Sequence, residues 1–495
     1  MFLPWMANNG WLDLEKNTVC GEPSSLDARA GFRIANGPWP ISPAGMLVCM
    51  ICLMVAAPFA TNAALGQNAA TTKSALRTSD ETAEALLSAM KAQDYSAAFD
   101  MFDTTMRAAV SEEKLGAVWK VQLDQFGPLA SWAITQRSQA QGLDIRIAGL
   151  KFAHGELQAT IAIDPQKQDV SGFVIRPMPK PTKPAPPAPY VDPSKFRAVD
   201  LSIGTAPYVL GGTLTLPTLL DPVPGVILVH GSGPQDRDET IGANKVFKDL
   251  AEGLASRGIA VLRYDKRTFV YGAKLGDSIS VDDEVIKDAA VAVNALQARP
   301  EIDPQRLFVI GHSMGALLAP EIASHAIPVA GVILLAPPGR APWDLVLSQM
   351  RYLNAPEKDV ADVERQVRLL RAGTLRDEKL LGARQAYWLD LAAHDGIGMA
   401  RKLGKPALIL RGDRDYQVIE EDVEAWRKGL ASVPNVEIVT MTGLNHLFIL
   451  GSGKPGPAEY DTPGHVDGRV IDRLAAFIST GSLNEPSAKP LGTTK

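Results

Sequence analysis

Six short apolar runs, mostly rich in β-branched residues, recur between residues 225 and 441 of this chain: GVILVH (225–230), IAVLRY (259–264), RLFVI (306–310), GVILLA (331–336), ALILR (407–411) and VEIVTM (436–441). Segments of helical character separate them, most clearly NKVFKDLAEGLASRG, VDDEVIKDAAVAVNALQAR and GALLAPEIASHA. A strand that is apolar on both sides must be covered on both sides. Alternation with helices supplies that cover, and the pattern predicts a doubly wound, mostly parallel sheet in an α/β domain over about 197–480. Between 342 and 405 the alternation gives way to a charged, mainly helical insertion. Such an insertion can cap an active site or stand as a surface hairpin.

Upstream the pattern differs. ETAEALLSAMKAQDYSAAFDMFD (81–103) reads as two short amphipathic helices meeting near Asp94–Tyr95, and a further helix is expected over Glu112 to Phe126. DIRIAGLKFAHGELQATIAID then alternates and breaks at His154–Gly155, as a hairpin would. These elements make a small α+β domain over 80–176. The proline-dense stretch 177–196 reads as a stiff interdomain connector, and 481–495 as a C-terminal tail.

The chain has 495 residues, enough for each domain to bury its own core. A net charge of −5 supplies no concentrated basic surface, which argues against nucleic acid as a partner. All three cysteines (Cys20, Cys49, Cys52) lie in the first 52 residues. This excludes a disulfide framework, a thiolate metal site or a cysteine nucleophile from the folded body. Within 1–66, the apolar run GMLVCMICLMVAAPFATNAALG (45–66) followed by small residues reads as an export signal. A periplasmic or secreted location follows from that reading, and membrane attachment follows if the segment stays uncleaved.

The chemistry concentrates at strand ends. Gly311-His312-Ser313-Met314-Gly315 lies between an apolar strand and a small-residue helix. That context turns a weak five-residue motif into a candidate nucleophile elbow, with Ser313 exposed above the sheet at a helix N-terminus. The hydroxyl needs a base. His325 lies on the helix after Ser313, His394 in the insertion and His465 in a Pro/Gly-rich segment, whereas His446 follows the last strand at the same sheet edge. His446 is therefore the expected base, with His465 its main rival. The orienting carboxylate is Asp413 or Asp415, both just after the preceding strand. The glycine-rich loop at 230–233 supplies one oxyanion donor, the Ser232 N–H with Gly233 next, and the Met314 N–H is the partner donor. His230 reads as loop support, and Asp236, Arg237 and Asp238 as residues that hold the loop in shape by turn hydrogen bonds.

With these residues in place, 197–480 resembles a bacterial esterase/acyl-hydrolase branch of the α/β-hydrolase superfamily. HGSGPQDRDE, RYDKR, GHSMG, YW, GDRDYQV and NHLF carry the resemblance, and the N-terminal domain is similar to nuclear-transport-factor-like domains. The resemblance assigns the acid to the second aspartate of GDRD, Asp415. It implies two-step acyl transfer on a small-molecule acyl ester without metal or organic cofactor. One departure is Thr268, where relatives often carry glycine. A thioesterase or peptidase would use the same triad, and a non-catalytic binding protein would use the same scaffold.

Overall fold

The computed structural model describes residues 52–54, 77–140, 143–177, 185–275, 279–325, 329–376 and 378–480. Apart from Cys52–Met54, the expected export signal lies outside these residues, as does the expected tail at 481–495. The described residues fall into two units, one running to Pro177 and the other from residue 185 to Thr480.

In the first unit, a Thr78/Glu81 capping box starts α1 (Ser79–Ala92), and side chains of Asp94, Asp103 and Ser111 cap α2 (Tyr95–Asp100), α3 (Thr104–Ala109) and α4 (Glu112–Phe126). The short strand β1 (Cys52–Met54) joins four longer strands: β2 (Leu129–Ala140), β3 (Leu143–Phe152), β4 (Gly155–Ile163) and β5 (Val170–Pro177). They form an antiparallel sheet ordered β1-β5-β4-β3-β2. In β4 the buried residues Leu157, Ala159, Ile161 and Ile163 recur at every second position. They pack with Leu86, Leu87, Met90 and Trp119 of the helices into a core of their own.

The second unit carries an eight-stranded sheet. Its strands are β6 (Phe196–Ile203), β7 (Leu210–Pro217), β8 (Val223–Val229), β9 (Ala260–Tyr264), β10 (Ile302–His312), β11 (Gly331–Leu335), β12 (Ala407–Gly412) and β13 (Val436–Met441). The spatial order is β13-β12-β11-β10-β8-β9-β7-β6. β8 to β13 are parallel, whereas β7 runs antiparallel to both β9 and β6. All six expected runs are strands. β6 and β7 were not among them, because β6 alternates with half its residues exposed and LGGTLTLP carries two glycines and a proline.

β8, β9, β11 and β12 are buried at every position. Their pleat divides these residues between two cores. Ile227, Val309, Leu334 and Ile409 face one side, with α7 (Lys287–Gln297) and α8 (Met314–His325). Leu228, Ile310, Leu335 and Leu410 face the other, with α5 (Val246–Ala255) and α14 (Gly468–Thr480); α6 (Arg267–Leu275) follows β9 and α13 (Glu420–Gly429) follows β12. Burying both faces of a parallel sheet in this way is the main stabilisation of such a layer. The chain goes from β8 to β9 on one side and then returns to β10 on the other. The connections therefore diverge between β8 and β10, which is where sheets of this type open a crevice at the strand C-termini. Between β11 and β12 lie α9 (Pro342–Tyr352), α10 (Glu357–Arg371), α11 (Gln385–Ala393) and α12 (Gly396–Leu403), the helical insertion expected there.

Candidate active site

β10 ends at His312, α8 starts at Met314, and Ser313 forms the whole turn between them. Its φ is +54°, a left-handed backbone that an L-residue adopts only when its surroundings enforce it. The Ser313 N–H donates to the Leu335 carbonyl (2.8 Å), and its own carbonyl accepts from Ala316 and Leu317 (2.9 and 3.2 Å). The flanking glycines are steric requirements. A Cβ on Gly311 would stand 2.1 Å from the Gly315 carbonyl oxygen, and one on Gly315 would stand 2.2 Å from that of Val229. Strand, elbow and helix therefore touch backbone to backbone.

Asp415 follows β12 and His446 follows β13. The structure brings them together: His446 Nδ1–H donates to Asp415 Oδ2 at 2.7 Å, with both side chains fully buried. Asp415 Oδ1 accepts from the backbone N–H groups of Gln417 and Val418 (2.8 and 3.0 Å). Burial would raise the Asp415 pKa, but His446 and these N–H donors outweigh it and the carboxyl is held below its usual range. For His446, burial dominates and lowers the pKa to about 4, against the pull of Asp415. At neutral pH we therefore read an ionised Asp415 beside a neutral imidazole whose proton sits on Nδ1. Its Nε2 then presents a lone pair and has no hydrogen-bond partner among the described residues. No Ser313–His446 hydrogen bond is formed in this structure, a looseness common before substrate binds. Asp413 instead accepts from the Gly443 N–H at 2.7 Å and ties the turn after β13.

Three other histidines are engaged elsewhere. His465 bonds Asp249 (2.9 Å) and the Pro186 carbonyl (2.7 Å), and His394 bonds Glu321 (2.7 Å). His230 Nε2–H donates to the Asp236 carbonyl (3.1 Å) while its ring packs on Phe247 and Tyr264. Burial first, then the Lys266 charge, lowers its pKa to about 3, so it props the loop as a neutral ring.

Ser232 and Met314 are both buried. The loop carrying Ser232 is held by ion pairs as well as turns. Asp236 accepts from the Asp238 and Thr240 N–H groups, as expected of a turn residue. Arg237 instead pairs with Asp265 (2.7 Å), and Asp238 with Arg263 and Lys245. Turn bonds alone do not account for the last two.

Five further residues, all within the motifs and helical runs described above, have no role legible in the sequence. Glu239 accepts from the Gly231 N–H (2.8 Å) and from His312 Nδ1–H (2.9 Å), and His312 Nε2–H donates to the His446 carbonyl (3.0 Å). Both ring nitrogens of His312 face acceptors, which favours the doubly protonated, charged ring. Burial disfavours that charge, yet Glu239 overcomes it and raises the pKa. One buried pair thus ties the loop after β8 to the elbow and to the loop bearing His446. Lys266 and Glu284 form a second buried pair (2.6 Å), and Glu284 also accepts from Tyr387 Oη on α11 (2.7 Å). Their sequence separations hid these contacts.

Residues 226–455 match the model of the Alpha/beta hydrolase family, and residues 83–173 match a family described as Protein of unknown function (DUF3887). The chain is 38% identical over 406 residues to Esterase EstD of Thermotoga maritima, covering 81% of this chain and 95% of that protein. Among solved structures, the Pyrococcus furiosus esterase Pf2001 aligns with 61% of this chain and 98% of its own at 18% identity and a TM-score of 0.38. Est1E of Butyrivibrio proteoclasticus aligns with 57% and 98% at the same identity and score. The near-complete match to EstD, together with the family model lying across the strands that carry Ser313, Asp415 and His446, decides the matter: the chain belongs to the esterases of the α/β-hydrolase family.

Proposed function

We propose that this enzyme cleaves carboxylic esters by two-step acyl transfer through Ser313, His446 and Asp415. The observation that carries the proposal is the buried 2.7 Å bond from His446 Nδ1 to Asp415, which leaves Nε2 unpartnered as a base. His446 takes the Ser313 proton as the oxygen attacks the ester carbonyl. The Ser232 and Met314 amides receive the developing oxyanion. The His446 imidazolium, stabilised by Asp415, then protonates the leaving alkoxide, and the same ring activates water to release the acid. Burial of the site strengthens each of these electrostatic contacts.

The test compares wild type with Ser313→Ala on p-nitrophenyl esters of increasing acyl length, with a thioester and a peptide amide alongside. Ester turnover should fall by about 10⁴-fold or more in the variant, and a fluorophosphonate should label only the wild type. Faster turnover of the thioester or the amide would reassign the substrate class. Undiminished turnover in the variant would refute Ser313 as nucleophile.

A further inference from the structure

Lys266 is 2% exposed, and every N–H of its ammonium has an acceptor: the Gly231 carbonyl (3.0 Å), the Gly233 carbonyl (3.1 Å) and Glu284 Oε1 (2.6 Å). A neutral amine has only two N–H bonds and could not make all three contacts. The Gly231–Ser232 peptide is trans, so its C=O and N–H point in opposite directions. Holding the Gly231 oxygen on one side therefore aims the Ser232 N–H to the other. A cation on the carbonyl also draws electron density from the amide nitrogen and makes that N–H a stronger donor, as bonds along a hydrogen-bonded chain polarise one another. On the preceding peptide, the Gly231 N–H is fixed by Glu239 (2.8 Å), so charged groups restrain both ends of this residue.

We infer that Lys266 is a positioning residue of the oxyanion hole, fixing and polarising the Gly231–Ser232 peptide through its carbonyl. The inference rests on the oxyanion role proposed above for Ser232. Glu284 neutralises the buried ammonium. It also receives the Tyr387 hydroxyl from the insertion, and that hydroxyl lies 3.8 Å from Met314 Sδ. The insertion is thus joined to the residues bearing both proposed oxyanion donors.

The experiment uses the full chain as Lys266→Met and as Lys266→Met/Glu284→Gln. The single change strands a buried carboxylate and can unfold the protein. The double change removes both charges and leaves Tyr387 an amide oxygen to bond, which buried sites tolerate better. Rates are taken per active site, counted by complete fluorophosphonate labelling, and the affinity of a trifluoromethyl ketone is measured in parallel. The expected result is a kcat lower by about 10- to 100-fold, less than the loss of a whole oxyanion donor. KM should stay within about twofold, and ketone affinity should fall with kcat. A merely structural lysine would lower the number of labelled sites and leave these ratios alone. A kcat per site within about twofold of wild type, or unchanged ketone affinity, would overturn the inference while leaving the Ser313 mechanism standing. If Ser313→Ala retains turnover, the mechanism itself fails, whatever the lysine variants do.

Discussion

At the scale of single residues, two aspartates two positions apart have been given different work by their surroundings. Asp415 accepts from two backbone N–H groups and from His446, fully buried. Asp413 holds one N–H at a turn. Asp415→Asn should preserve the fold but disturb the His446 tautomer, because an amide can donate to Nδ1 and shift the ring proton to Nε2. A loss of about 10⁴-fold in kcat is expected for esters, on the precedent of serine proteases. Asp413→Asn keeps an acceptor for Gly443 and should retain most activity. Steady-state kinetics on both variants separates the roles, and equal losses would remove the assignment. GDRD alone left this choice open; a resemblance favoured Asp415, and the hydrogen bonds now supply a physical reason.

At the scale of elements, the elbow is where strand, turn and helix constrain one another most tightly. Gly315 lies against the last residues of β8, so a methyl group there must push the helix from the strand that leads into the Ser232 loop. Gly315→Ala should cost about 1–3 kcal/mol in urea unfolding, as overpacking does, and reduce activity beyond the fraction unfolded. Gly456, whose Cβ would meet nothing within 4 Å, is the control: its alanine variant should stay within about 0.5 kcal/mol of wild type. Equal effects at the two glycines would contradict the packing described. The G-x-S-x-G spacing was legible because its reasons are local. The two strands β6 and β7 were less so. A Cβ on Gly211 in β7 would meet the Arg237 guanidinium, a neighbour supplied from 26 positions away.

At the scale of the molecule, the buried histidines set a pH dependence. His446 and His230 are fully buried, with pKa values lowered to about 4 and about 3 chiefly by burial. In the unfolded chain both titrate near 6.5. Below that pH the unfolded state takes up protons that the folded state refuses, so stability falls as pH drops from about 6.5 towards 4. Each site contributes at most about 1.4 kcal/mol per pH unit. His312 works the other way. Its raised pKa gives stability that is fully present below about 6.5 and lost as pH rises through the folded value. Urea midpoints should therefore fall from pH 6.5 to pH 4.5, and His230→Gln should flatten that fall. An unchanged midpoint over this range would show that these rings are charged in the folded state.

Periodicity and local sterics, which any stretch of chain carries within itself, determined much of this protein from its sequence alone. They gave the alternating α/β unit, the hairpin and three of the four helices of the first unit, and the elbow at Ser313. Only the tertiary structure decided which buried charges meet. Glu239 finds His312 across 73 positions, and Glu284 finds Tyr387 across 103. Lys266 reaches back to Gly231 because β9 lies beside β8, on the far side from β10. Those pairings depend on strand order and on the exclusion of water from the crevice. Both arise only when distant segments pack, and no local pattern encodes them.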